Sequence, residues 1–63
     1  MKNIILVKNL DDSECAKRIE DALSQTRVDY NVNLDKKCVI VDGNSDMVSI
    51  ARNVLHELGF SIL

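Results

Sequence analysis

Hydrophobic periodicity along this chain switches between the two values that separate strand from helix, and the order of the switches leaves few folds open. Asn3 to Lys8 is an apolar, β-branched run that reads as a strand. Cys15, Ile19, Ala22 and Leu23 then recur at helical spacing, so one helix face turns inward before the helix fades near Gln25. Val28, Tyr30, Val32 and Leu34 alternate with Asp29, Asn31, Asn33 and Asp35, the period of a half-buried strand. Asp35-Lys36-Lys37 makes the turn into a third strand, Cys38 to Val41, which Asp42-Gly43-Asn44 ends. Met47, Ile50, Ala51, Val54, Leu55 and Leu58 supply the stripe of a second helix. Gly59 stands where a helix terminates through the left-handed region, which glycine enters cheaply, and Phe60 to Leu63 is read as a last short strand.

The order βαββαβ predicts an α+β fold, a ferredoxin-like open-faced sandwich with a four-stranded antiparallel sheet and two helices on one face. At 63 residues the chain is expected to be a single domain, 1–63, and 46% apolar residues suffice for a core. Asp11 or Asp12 is positioned to cap the first helix, with Asp11 and Glu14 at capping-box spacing, and Ser45 or Asp46 to cap the second. The first and third strands are placed at the sheet centre running parallel. By residue parity Ile4, Leu6, Cys38 and Ile40 then point away from the helices, an uncovered apolar patch suited to self-association or partner docking.

Charge and composition exclude several functions. Eight basic against ten acidic residues give a net charge of −2, with no cationic surplus to neutralise phosphates. Tyr30 and Phe60 are the only aromatics, too few for a base-stacking platform, so no nucleic-acid partner is expected. No apolar run approaches the ~20 residues of a membrane span, and Ile4-Ile5-Leu6-Val7 is too short for a signal-peptide core, so membrane insertion is not expected and the setting is taken as cytoplasmic. The carboxylate pairs Asp11-Asp12 and Glu20-Asp21 read as helix charges, His56 as an exposed helix residue, and no glycine-rich phosphate loop is present; an enzyme is not expected.

The chemistry concentrates at Cys15, in the first turn of the first helix. Free backbone N–H groups and the positive end of the helix dipole favour its thiolate, while Asp11, Asp12 and Glu14 oppose a further anion, and Lys17 and Arg18 partly offset them. Packing alone also accounts for a cysteine that begins an inward stripe.

The frame Leu10-x-Asp12-x-x-Cys15, followed by Lys17-Arg18-Ile19-Glu20-x-Ala22-Leu23, with the strand Val28-x-Tyr30-x-Val32-x-Leu34 and the Gly59-Phe60 pair, resembles the heavy-metal-associated domain family over nearly the whole chain. That family's loop reads Met-x-Cys-x-x-Cys, so Asp12 replaces the first thiol, Leu10 replaces the methionine, and Asn9 stands where the family commonly has glycine. The resemblance implies a small metal-binding, metal-trafficking protein of copper-chaperone type, with Cys15 as the anionic ligand and Asp12 and Glu14 as auxiliary ligands or helix-start charges. It implies copper(I), or zinc with Asp12, Glu14 and Cys15 around it, and a metal-transporting ATPase or other metal-handling protein as partner. Lys17 and Arg18 would steer that partner, and Phe60 would pack beside the loop. A hard carboxylate does not replace a thiolate toward copper(I), so the missing sulfur would come from a second copy in a homodimer or from a small thiol. The competing reading is a metal-independent interaction module that kept the scaffold and lost the site. Parallel central strands would put Cys38 about 13 Å from the loop, beyond the ~7 Å that a disulfide spans, so no Cys15–Cys38 pairing is expected.

Overall fold

The computed structural model describes residues 2–63. Its elements follow in the order β1 (Lys2–Leu6), α1 (Ser13–Leu23), β2 (Asp29–Asn33), β3 (Cys38–Asp42) and α2 (Ser45–Glu57). The sheet order is β1-β3-β2, and both pairings are antiparallel. Ile5, Val7, Val28, Val39 and Val41 project from the strands and loops into one core with Ile19, Leu23, Ala51 and Leu55 from the helices. Tyr30 reaches across to α1, where its hydroxyl donates to the Glu20 carbonyl at 3.0 Å.

Two expectations about the sheet are corrected. β1 and β3 run antiparallel, with Leu6 opposite Cys38 and Lys2 opposite Asp42. The cause is the crossover: α1 returns the chain so that β2 runs parallel to β1 with a gap between them. β3 follows β2 through a tight turn into that gap and opposes both. Cys38 therefore lies at the loop end of β1, and the separation inferred from a parallel pair does not hold. By strand alternation it lies on the sheet face away from the helices, since Val39, next to it, and Val41 are core residues. Both cysteines are free thiols, Cys15 half-buried and Cys38 buried.

The fourth strand is reduced to one bridge, Val7 with Ile62. Around it the Lys8 N–H donates to the Ser61 carbonyl at 2.7 Å and the Leu63 N–H to the Leu6 carbonyl at 2.9 Å. Phe60 is committed to ending α2, which leaves three residues beside β1. The topology is kept although the ladder is short.

The first helix is capped by one of the two residues expected to do so, and the second starts one residue earlier than expected. Asp12 caps α1, its Oδ1 accepting the Cys15 N–H at 2.9 Å, so the third helical position is Cys15 and the Asp11–Glu14 box does not form. Asn44, ahead of Ser45 and Asp46, caps α2 by accepting the Met47 N–H at 3.1 Å. α2 ends as a Schellman turn: the Gly59 N–H bonds to the His56 carbonyl and the Phe60 N–H to the Leu55 carbonyl, both at 3.0 Å, with Gly59 at φ 90°.

A stapled loop carrying one thiol

The segment between β1 and α1 is fastened to the β2–β3 turn, to the end of α2 and to the core. The Val7 N–H donates to the Lys37 carbonyl at 2.8 Å, which fastens the loop's start to the β2–β3 turn. Asn9 fastens it to the end of α2. Its Oδ1 accepts the Ser61 N–H at 2.8 Å, and its Nδ2 donates to the Gly59 carbonyl at 3.4 Å. Leu10 is fully buried and anchors the loop in the core. Asp11 pairs with Lys37 at 3.3 Å, an exposed contact of little energy.

Cys15 emerges from this base. It is half-buried and packs against the core cluster, while Asp12, Ser13 and Glu14 before it are exposed. The sulfur thus sits at the margin between hydrocarbon and solvent. The Asp12 carboxyl is held below the usual carboxylate range, first by the Cys15 backbone N–H and then by a hydrogen bond with the Cys15 side chain; slight desolvation opposes them. The charged cap and the helix turn that carries the thiol are therefore joined through the Cys15 backbone N–H.

Phe60 is buried behind the loop, and the Arg18 guanidinium carbon lies 5.8 Å from its ring centroid. Arg18 also donates from Nη2 to the Leu58 carbonyl at 3.5 Å. It is thereby tied to the end of α2, while Lys17 stays exposed. His56 is exposed on α2, as expected.

Among the described residues, no three His, Cys, Asp or Glu side chains converge as a metal cage. Asp12, Glu14 and Cys15 share a helix start without forming a three-ligand cluster. One Asp12 oxygen already accepts the Cys15 N–H, so the arrangement offers a single soft donor. No helix among the described residues is long and apolar enough to cross a membrane.

Asn9 is the residue whose role sequence reasoning missed. It stands where the family commonly has glycine, yet its side chain makes two bonds to residues 50 and 52 positions away. An amide beside a buried leucine is the only local signal, and it does not name a partner so distant in sequence.

The heavy-metal-associated domain model matches residues 4–61. A structure titled CopZ metallochaperone superposes with a TM-score of 0.83 at 22% identity, covering 100% of both chains, and at that identity carries the fold alone. The solution structure of a heavy metal binding protein from Thermotoga maritima superposes with a TM-score of 0.80 at 26% identity, covering 98% of this chain and 91% of that one. No curated protein matches the chain.

Proposed function

This chain belongs to the heavy-metal-associated domain family, and we propose that it is a non-enzymatic, cytoplasmic metal-binding protein of metallochaperone type whose ligating atom is the Cys15 sulfur. The observation that carries this reading is the position of Cys15 at the third residue of α1, at the solvent margin of a loop stapled on both sides. The metal is cargo, and a soft monovalent ion such as copper(I) fits the lone sulfur better than a hard ion does. Asp12 acts through the helix. Its carboxylate holds the Cys15 N–H and so fixes where the sulfur stands; it is a weak auxiliary donor, and Glu14 weaker still.

One sulfur does not close a two-coordinate thiolate shell, so the second thiolate comes from outside the chain. In isolation that is the Cys15 of a second copy. During delivery it is a thiol of a metal-handling partner, such as a metal-transporting ATPase, and exposed Lys17 assists the encounter with an acidic surface. Shared coordination of this kind makes binding and docking one event.

Competition between the protein and a copper(I) chelator tests the assignment. Wild type is expected to take up one copper(I) per two chains, Cys15→Ser none, and Cys38→Ser as much as wild type. Uptake by Cys15→Ser equal to wild type contradicts it.

A second reading has its own observation. Ile4, Leu6 and Leu63 are 66%, 46% and 76% exposed. Ile4 and Leu6 lie on the sheet face away from the helices, opposite Ile40 and Cys38. In that reading the protein is a metal-independent interaction module that associates through this face. Sedimentation of the metal-free chain then shows a dimer that Ile40→Lys dissociates; a monomer at high concentration removes the reading.

A further inference from the structure

Beside the Gly59–Ser61 segment, at the end of α2, lies an open cavity of about 550 Å³. Its polar wall is Arg52, Asn53 and His56 from α2 with Ser61, and Phe60 and Ile62 form its apolar side. We propose that this cavity binds a small organic anion carrying two oxyanion groups, a dicarboxylate or tricarboxylate. The inference stands apart from the metal reading and needs neither Cys15 nor a metal.

Three observations carry it. First, no carboxylate lines the cavity, although the chain has ten acidic residues. The local charge is therefore positive on a protein that is negative as a whole. Second, the Arg52, Asn53, His56 and Ser61 side chains make no hydrogen bond or ion pair among the described residues, so their donors are free for a ligand. Third, Arg52 and His56 stand four residues apart on α2, about one 5.4 Å turn, a spacing that suits two anionic groups on a short carbon skeleton. The planar fork of arginine takes one carboxylate in bidentate fashion. His56 and the Asn53 amide take the other, and the skeleton lies against Phe60 and Ile62. A volume of 550 Å³ is within the range of small-molecule sites.

The end of a helix dipole would ordinarily repel an anion here. Three of the terminal carbonyls are already occupied, however. Those of Leu55 and His56 accept the Phe60 and Gly59 N–H groups, and that of Leu58 accepts from Arg18. The repulsion is thereby blunted where the ligand would sit.

The test is a residue-resolved NMR titration of the metal-free full chain with citrate at constant ionic strength. Saturable shifts at Arg52, Asn53, His56 and Ser61 are expected. Arg52→Gln should weaken binding roughly tenfold or more, as loss of charge-assisted hydrogen bonds requires, Arg52→Lys less, and Cys15→Ser not at all. Melting curves of the variants matching wild type show that the change is local. Inorganic phosphate, with one oxyanion group, should bind more weakly than citrate. Phosphate binding as tightly as citrate, shifts that chloride reproduces, or full citrate affinity in Arg52→Gln would each overturn the proposal.

Discussion

The two helices of this protein begin in the same way and carry different chemistry. Asp12 accepts the N–H of Cys15 at 2.9 Å, and Asn44 accepts the N–H of Met47 at 3.1 Å. Each cap's carbonyl then receives the N–H four residues on, from Ala16 and Val48, both at 3.2 Å. In both cases the third helical residue is a half-buried sulfur side chain packed on the core. The approach to each cap differs. Only Gly43 separates β3 from Asn44, and a side chain at Gly43 would meet the Met47 Cγ at 3.0 Å. Before Asp12 run five residues, Val7 to Asp11, bonded to the β2–β3 turn and to the end of α2. A capped helix start is common equipment. The braced loop in front of it and the identity of one side chain separate a candidate metal site from ordinary packing.

That comparison is broken most severely by moving the sulfur. Met47→Cys in a Cys15→Ser background puts a thiol on the equivalent position of the second helix. The chelator competition should show no recovery of copper(I) uptake, because only Gly43 precedes the Asn44 cap and no braced loop presents the new thiol. Recovery would mean that a capped thiol alone is sufficient.

Removing the caps has a smaller effect. Asn44→Ala should cost about 1 kcal/mol of unfolding free energy, measured by urea denaturation. Asp12→Ala should be destabilising in the same direction and, above pH 5, by more, because its cap is an anion at the positive end of α1. Equal losses at every pH would show that the charge on Asp12 contributes nothing.

The smallest effect is the pH dependence of that difference. The Asp12 carboxyl is held below its unfolded value, so its stabilisation is fully present above the ordinary carboxylate pKa near 4 and is lost as pH falls through the folded value. Wild type and Asp12→Asn should therefore converge in stability on acidification below about pH 4, whereas Asn44→Ala keeps a constant offset. Parallel pH profiles for wild type and Asp12→Asn would contradict the hydrogen-bonded carboxylate.

Much of the fold was legible because it depends on local pattern. Ile19, Leu23, Ala51 and Leu55, read as inward stripes, are all fully buried, and Gly59 ends α2 at positive φ as its position implied. What the pattern missed is non-local or combinatorial. Direction of the central pair follows from how a crossover leaves a gap, which periodicity along one strand does not encode. The last strand had suitable residues, but its length was limited by Phe60, whose N–H closes the helix end. The cap of α1 fell on Asp12, one of the two residues expected, whereas that of α2 slipped by one from Ser45 to Asn44, because neighbouring polar residues differ only in which carbonyl begins the helix. At the site, Cys15 was visible as a residue type at a helix start. Asn9 was not, since its partners are 50 and 52 residues away, and Arg18, read as a free docking charge, is bound to the Phe60 turn.

The most direct test of a single-thiol site is the sulfur count around bound copper(I), read by x-ray absorption on protein loaded with half an equivalent. Two sulfur neighbours, unchanged by Cys38→Ser and absent in Cys15→Ser, are the predicted result, one from each of two chains. A shell of oxygen and nitrogen alone, or a two-sulfur shell that Cys38→Ser removes, would contradict it.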